Sequence, residues 1–444
     1  MPEVKGGKIT RAIAASEPLF VLAIAPYLMF PTPRRLLILL IVPVVWWCAF
    51  RTTGRLVPRS PVNVALGLLV AMVLVSLHET FDVLFSLGKV SGTMLGVLVF
   101  FATIRWICEE RRLWAAVWLF AVAGGALSVI TMLGASWIHK FSLIGRVTAH
   151  IPQLILGIPG AEEGFHPNAV AGTLVLFLPV QMTGLITAAS ARLAEETALS
   201  RMRAVLLRAS YASAFGLTLL VILFTQSRGA WIGLVVAGLV SLCWQGSRGR
   251  KVAAGFLIVI GIGVLVFGPG RVSDRVFGRT RMSSAEQLAG RVEIWDSAIS
   301  GIRDYPVAGM GMNTFRQLMP DRYPKAHYRR PNYPIVDVAH AHNQLFQVAL
   351  DLGLPGLIAY VAILLVVAAL LSQLLRHATG HLRLLAGCLA AALIAHLSFG
   401  MTDAIPLGAK PGFAFWLTLA LAVSLHDLTR RPATQLSRDA VRQA

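Results

Sequence analysis

Three short stretches of this sequence carry side chains that could perform chemistry: Ser227-Arg228-Gly229, Gly290-Arg291-Val292-Glu293-Ile294-Trp295 and His340-Ala341-His342-Asn343. A guanidinium group offers five N–H donors in a planar fork and keeps its charge, which suits it to phosphate. Histidine near neutral pH can accept a proton from a hydroxyl group, and the carboxamide of Asn343 can orient either partner. These residue types predict a site that binds a phosphate-bearing molecule and activates a hydroxyl group.

Each stretch also has an ordinary structural interpretation. Arg228 can extend to lipid headgroups from a membrane interface. Arg291 opens a helix, where free N–H groups and the helix dipole attract anions, but it can also pair with Glu293 or with lipid. His340 and His342 can simply cap the helix that follows them. The residue types alone leave both interpretations open.

Other candidates are weaker. His166-Pro167-Asn168 is interpreted first as a turn followed by a helix N-cap, and Asp403 ends an apolar run without a clear role. Aromatic and basic residues interleave late in a long polar stretch, as in a surface that receives sugars and phosphates or in a solvated face: Tyr323, His327, Tyr328, Arg329, Arg330 and Tyr333. No acidic or cysteine cluster with ligand spacing accompanies the two histidines, so no metal is expected.

The composition indicates a membrane protein. Of 444 residues, 56% are hydrophobic and only 14% are charged, against roughly 25% in a typical soluble domain. The formal net charge of +19 does not indicate nucleic-acid binding, because that function needs a soluble basic face. The four cysteines show no CxxC pair and are expected to be free, buried thiols: Cys48, Cys108, Cys243 and Cys388.

A bilayer core requires about 20 apolar residues per helix, and the chain contains about twelve such runs. We predict an all-α polytopic protein with a single transmembrane domain over residues 1–444. The first run follows Lys5, Lys8 and Arg11, and we expect it to be an uncleaved helix rather than a signal peptide. The predicted spans are 13–30, 34–50, 62–78, 84–107, 113–135, 168–190, 205–226, 229–246, 251–268, 345–372, 382–404 and 411–427.

Lysine and arginine concentrate in the short loops on one side of these runs, which predicts that both termini are cytoplasmic. The tail 428–444 is then cytoplasmic. The stretch 270–342, between the ninth and tenth helices, becomes a large periplasmic loop, and its own basic excess is allowed because long loops escape the charge rule.

The large loop is expected to be partly helical. Four of its apolar residues follow helical spacing and predict an amphipathic helix whose apolar stripe faces lipid or the bundle: Val292, Trp295, Ile299 and Ile302. This helix should end before Pro306, and Ser283 with Glu286 could form a capping box at its start.

In their order along the chain, these elements resemble the family of bacterial O-antigen ligases, O-antigen polymerases and protein O-oligosaccharyltransferases, over residues 160–405 and the twelve-helix layout. The ligase pattern His-(Asn/Ser/Gln)-x9-Gly-x-x-Gly is matched by His342-Asn343 and Gly353-x-x-Gly356. Ser227-Arg228-Gly229 and Gly290-Arg291-x-x-x-Trp295 fit the same family.

The resemblance implies a membrane-embedded (GT-C-like) glycosyltransferase architecture in the bacterial inner membrane, with the active site facing the periplasm. Such enzymes are inverting, metal-independent and cofactor-free, and transfer a glycan from undecaprenyl pyrophosphate. In the ligases the acceptor is a sugar hydroxyl of lipid A-core, which completes lipopolysaccharide. By the same resemblance, Arg228 and Arg291 hold the pyrophosphate and His342 acts as the base. Further substrate-binding residues are expected to be Ser227, His340, Asn343, His166, Asn168, Arg329 and Arg330.

Three alternatives stay open. An O-antigen polymerase or a protein O-oligosaccharyltransferase would use the same donor, and ligase is favoured by the glycine pair after His342. A transporter or flippase can also have twelve helices, but it usually places charges near the membrane midplane and repeats its halves. A structural or assembly protein would not explain the order of the motifs.

Overall fold

The structure is a computed structural model that describes residues 7–137, 140–190, 198–267, 284–323 and 338–430. Its described residues are mostly helical and contain two isolated β-bridges but no strand. The helices, which we number α1 to α16, are Lys8–Ala15, Glu17–Met29, Ile41–Thr53, Asn63–Glu79, Val83–Trp106, Glu110–Gly134, Ser142–Thr148, Pro167–Ser190, Ala198–Phe224, Arg228–Trp244, Ser247–Phe267, Ser284–Asp304, Thr314–Arg322, Gln344–His377, Gly380–Gly400 and Phe413–Arg430.

Each of the twelve predicted spans overlaps helical residues, but 13–30 crosses the break between α1 and α2, and 34–50 overlaps a 3₁₀ helix, Arg35–Leu40, as well as α3. Eight helices of the described ranges are long and apolar enough to cross a membrane, and α1 with α2, bent by 53°, form a possible ninth span. Helices α4 and α10 are apolar but have 17 residues each, which is the lower limit of about 17 residues for a membrane helix. The predicted all-α, polytopic membrane fold is confirmed.

Small residues bring the central helices together. A side chain at Gly233 of α10 would approach the carbonyl oxygen of Ala395 in α15 to 2.5 Å. A side chain at Gly125 of α6 would lie 3.2 Å from the Cβ atom of Ala214 in α9. Close approach through small residues is the usual way in which membrane helices gain packing energy, because burial of apolar surface from lipid contributes little. Helix α15 also packs on α8, so α8, α10 and α15 form a rigid support.

Three of the four cysteines are free and buried, as predicted, but Cys243 is exposed. It lies near the end of α10, and an apolar run in a membrane helix can face lipid as well as the protein core.

The large loop forms a small cap with a core of its own. Its cluster consists of Ile294, Ala298, Met310, Phe315, Met319, Tyr323, Val338, Ala341 and Leu350. Helix α12 ends at Asp304, before Pro306 as predicted. Val292 of the predicted apolar stripe is 51% exposed, whereas Ile294 and Ala298 are the residues of α12 that enter this core. That the stripe faces lipid or the bundle stays a prediction. Ser283 and the Glu286 side chain, the predicted capping box, lie outside the described part of the chain.

The cap is attached to α14 where that helix is broken. The backbone N–H of Leu354 donates to the carbonyl oxygen of Pro306 over 2.7 Å, and that of Met310 donates to Leu350 over 2.7 Å. Between these bonds Gly353 has φ 70° and ψ −179°, a conformation that essentially only glycine adopts. A Cβ atom there would also collide with the Val307 carbonyl oxygen. The first glycine of the motif after His342 therefore lets the cap dock.

Replacement of Gly353 by alanine should lower the free energy of unfolding by about 1–3 kcal/mol, the usual range for a residue held in a forbidden backbone region. Thermal unfolding in detergent measures this, and limited proteolysis should cut the cap first. Gly387→Ala is the matched control, because a Cβ atom in α15 meets only the end of Leu375 at 3.7 Å. Equal melting temperatures for both variants would contradict the docking role.

Candidate functional site

His342 and Asp403 form a hydrogen-bonded pair at one end of the helical bundle. His342 lies directly before α14, and Asp403 lies in the segment between α15 and α16. The Nδ1 atom of His342 is 3.0 Å from Oδ1 of Asp403. A carboxylate only accepts hydrogen bonds, so Nδ1 carries the proton and Nε2 of the neutral ring is left as a proton acceptor. This is the tautomer that a general base requires.

His340 is held differently by the same carboxylate. The backbone N–H of His342 donates to its Nδ1 atom over 3.2 Å, so its proton is on Nε2, which lies 3.4 Å from Oδ1 of Asp403. Burial lowers the pKa of His340 to about 4, although the charge of Asp403 opposes this effect. Both nitrogens are occupied and the ring stays neutral at pH 7. Of the two histidines, only His342 has a nitrogen available as a base.

Asp403 is the fixed negative charge of this cluster. Its side chain is only 5% exposed. Burial would raise the pKa of the carboxyl, but the hydrogen bond from His342, the two neighbouring histidines and the backbone N–H of Ala404 outweigh it and lower the pKa well below its usual value. Asp403 therefore stays ionised and can stabilise an imidazolium that forms on His342.

The start of α14 fixes His342 in a strained conformation. His342 has φ 49°, which is uncommon for a residue with a side chain and is concentrated at functional sites. The Asn343 side chain caps α14, accepting from the N–H groups of Leu345 at 3.0 Å and Phe346 at 3.2 Å. The Gln344 side chain accepts from the N–H of Ile405 at 2.9 Å, which ties α14 to the segment that carries Asp403.

Arg228 is the first residue of α10 and lies beside the same segment. A side chain at Gly229 would approach Oγ1 of Thr402 to 2.7 Å, so glycine here lets the helix start pack against the residue next to Asp403. Ser227 occupies the N-cap position and is buried, without a side-chain capping hydrogen bond. The Ser-Arg-Gly motif thus combines a cation with the small residue that brings it close.

Arg291 reaches the site through the cap. It lies one turn before Trp295 on α12, and residues four apart share a helix face. The indole N–H of Trp295 donates to the carbonyl oxygen of His342 over 3.4 Å. The indole ring also meets Phe346 edge-on, with centroids 6.3 Å apart. Trp295 therefore sets the position of Arg291 relative to His342, which gives the Gly-Arg-x-x-x-Trp spacing a physical meaning.

Lys140 is a third cation of the site, and it lies in none of the sequence motifs. Its backbone N–H donates to Oε1 of Gln226 over 2.7 Å, and its ammonium donates to the Gln226 carbonyl oxygen over 3.2 Å. Burial, together with the charges of Arg228 and Arg291 and against the opposing charge of Asp403, lowers the pKa of Lys140 to about 8. The three cations, Lys140, Arg228 and Arg291, are close enough to act on one another, and we call them the donor-side cations.

The remaining predicted residues are placed less directly. Partial desolvation lowers the pKa of His166, an effect opposed by Asp403 and reinforced by His342 and Lys140, so His166 belongs to this electrostatic cluster. Helix α8 begins at Pro167, which puts Asn168 in its first turn instead of before it. The Asn168 Oδ1 atom is buried and has no hydrogen-bond partner among the described residues. Arg329 and Arg330 lie outside the described residues.

Three residues of the site are of the types that bind metal ions. His340, His342 and Asp403 offer ligand atoms that all lie within 4.8 Å of one another. Sequence spacing does not identify Asp403 as a member of this group, because it lies 61 residues after His342. Here, however, both histidines direct an N–H group at one carboxylate oxygen, and the donor-side cations oppose another cation nearby. The geometry therefore favours acid–base chemistry over metal binding.

Two comparisons with known proteins bear on this site. Residues 213–361 match a family model described as O-antigen ligase, and this segment contains both arginines, both histidines and the glycine pair. A stretch of 151 residues is 24% identical to an uncharacterized protein of Haemophilus influenzae, covering 31% of this chain and 37% of that protein. The matched segment carries Arg228, Arg291, His340 and His342, and through it this chain is similar to the O-antigen ligase family.

Proposed function

We propose that this protein transfers O-antigen glycan from undecaprenyl pyrophosphate to a sugar hydroxyl of lipid A-core at the periplasmic face of the bacterial inner membrane. The observation that carries the proposal is the His342–Asp403 pair beside the donor-side cations. A base next to a phosphate-binding group is what glycan transfer from a pyrophosphate carrier requires. The roles of Arg228, Arg291 and His342 that the family resemblance implied fit this arrangement.

The proposed reaction is a single in-line displacement. The acceptor oxygen forms a bond to the anomeric carbon while the bond from that carbon to the pyrophosphate oxygen breaks, so the configuration inverts. The hydroxyl proton passes to Nε2 of His342, and Asp403 stabilises the resulting imidazolium. The negative charge that develops on the pyrophosphate is stabilised by Arg228, Arg291 and Lys140. No metal or cofactor takes part in this mechanism.

The other predicted contacts are part of the same proposal. The unsatisfied Oδ1 atom of Asn168 can accept a sugar hydroxyl. Substrate contacts of His166, Arg329 and Arg330 stay predictions. Asn343 already uses its side chain to cap α14, which supports a positioning role, and a substrate contact of Ser227 or His340 stays a prediction.

A transfer assay with purified protein tests the proposal. The donor is undecaprenyl-pyrophosphate-linked glycan, and the acceptors are lipid A-core, a second lipid-linked glycan and pilin, each in a separate reaction. A product with lipid A-core alone supports a ligase, and a product with either other acceptor selects the polymerase or the protein transferase. If no acceptor is glycosylated, the enzyme proposal is wrong.

The pKa of Lys140 predicts an alkaline limit to donor use. Since only the protonated ammonium attracts pyrophosphate, kcat/KM for the donor should fall as the pH rises through about 8. Lys140→Arg should remove this limb, because arginine keeps its charge at all these pH values. The measurement is the pH dependence of kcat/KM for both proteins. An unchanged alkaline limb in Lys140→Arg would assign it to another group.

A further inference from the structure

A second group of cations adjoins the histidine cluster, separate from the donor-side cations. We propose that Lys89, with Arg316 and Lys410, binds phosphate groups on the acceptor glycolipid, and we call these three residues the acceptor-side cations. The inference rests on the proposed function, because it concerns the second substrate of the same site.

The two sets of cations have different neighbours. The charges of Arg228, Arg291 and Asp403 act on Lys140, whereas those of Asp351, Lys410 and Arg316 act on Lys89. The second group is brought together by the Asn313 side chain, three residues before Arg316, which donates over 3.3 Å to the carbonyl oxygen of Phe85, one turn before Lys89. Both sets act on the histidines of the site. Burial lowers the pKa of His340 most and the charge of Lys89 contributes, and the charge of Lys140 contributes in the same way to the lowered pKa of His166.

Lys89 is half-buried on α5 without a direct counter-ion. Among the described residues no ion pair includes it. The carboxylate whose charge acts on it, Asp351, already accepts from Nε2 of Gln347 at 2.9 Å and from the N–H of Asn313 at 3.2 Å. The backbone of Gly408, two residues before Lys410, packs directly against the carbonyl group of Lys89, which brings Lys410 close to this helix. A half-buried ammonium with no ion-pair partner among the described residues favours an anionic ligand.

Lys410 and Arg316 extend this positive region toward the surface. The Lys410 ammonium lies 4.7 Å from the centroid of the Phe30 ring and donates to the Pro159 carbonyl oxygen. The pKa of the exposed Glu162 is lowered first by a backbone hydrogen bond from Gly160 and additionally by the charges of Lys410 and Arg316. Both cations therefore act on one exposed residue, Glu162, in a region that the headgroup of a glycolipid can reach.

The reaction geometry assigns this side to the acceptor. In an inverting displacement the attacking hydroxyl approaches the anomeric carbon from the side opposite the leaving pyrophosphate. The hydroxyl must also reach Nε2 of His342. With the pyrophosphate on the donor-side cations, the proposal places the acceptor on the side of Lys89, whose charge acts on His340. Positive charge in this position is complementary to phosphate groups near the accepting sugar.

The test compares lipid A-core with the same acceptor after chemical removal of its phosphates. With the phosphorylated acceptor, Lys89→Gln should raise the acceptor KM roughly tenfold, as expected for loss of one charge-assisted contact, and leave the donor KM unchanged. With the dephosphorylated acceptor the same substitution should have little effect. Lys89→Arg should restore most of the affinity, and Lys251→Gln, an exposed lysine at the start of α11, is the matched control.

Three outcomes would overturn the inference. An equal loss with both acceptors would give Lys89 a purely structural role, and a raised donor KM would move it to the donor side. Wild-type transfer that does not depend on acceptor phosphates would remove the acceptor-side site alone. Failure of the wild-type protein to glycosylate either acceptor would instead overturn the proposed function, and the inference with it.

Discussion

Replacement of His342 by alanine should lower kcat for glycan transfer by about 10²–10⁴-fold, the usual contribution of a general base. The donor KM should change little, because His342 acts on the acceptor hydroxyl in the transition state and does not bind the pyrophosphate. His340→Ala should have a smaller effect, because the two nitrogens of His340 contact the His342 N–H and Asp403, and neither is available as a base. The measurement is initial rate against donor concentration, with size-exclusion chromatography to verify folding.

His150→Ala is the matched control for this experiment. His150 is an exposed histidine in the segment after α7, and its Nδ1 atom bonds only the Arg146 carbonyl oxygen. This variant should retain the wild-type rate. If His342→Ala stays fully active while His340→Ala fails, the assignment of the base is reversed and the tautomer argument is wrong.

Replacement of Arg291 by glutamine should lower kcat by about 10²–10³-fold, the usual loss on removal of one preorganised group that stabilises developing charge. Arg291→Lys should recover only part of the rate, because an ammonium lacks the planar fork of donors. Arg303→Gln, an exposed arginine at the other end of the same helix, is the matched control and should leave the rate unchanged.

Combination with Arg228→Gln tests whether both arginines act on one group. If both stabilise the same pyrophosphate, the double variant should lose less than the product of the two single losses, as residues that act as a unit do. Independent, fully multiplicative losses would contradict convergence on one pyrophosphate. Full activity of either single variant would remove that arginine from the site.

The helices could be predicted because their signal is local. A run of apolar residues near the length of a bilayer core specifies a helix without reference to any other segment, and α10 was predicted at 229–246 and observed at Arg228–Trp244. The face of α12 could not be predicted from periodicity in the same way. Ile294 and Ala298 of α12 are buried in the core of the cap, which depends on contacts between distant segments that helical spacing does not encode.

For the same reason, only some residues of the site could be predicted from the sequence. Arg228, Arg291 and His342 lie in recognisable motifs. The choice between His340 and His342 depends instead on the left-handed backbone of His342 and on the hydrogen bond from its N–H to Nδ1 of His340. Asp403 was noticed as an acidic residue at the end of a helix, and only the contact across 61 residues gives it a role. Lys140 lies in no motif. Its single signal is a lysine between two apolar runs on the face that carries the histidines.

The most direct measurement is the stoichiometry of one transfer reaction with purified protein, labelled undecaprenyl-pyrophosphate-linked glycan and lipid A-core, run with and without a chelator. We expect equal amounts of glycosylated lipid A-core and free undecaprenyl pyrophosphate, at the same rate in both conditions, and transfer that is about 10²–10⁴-fold slower with His342→Ala. Carrier released without glycosylated lipid A-core, or a reaction that the chelator abolishes, would contradict direct transfer by a histidine base.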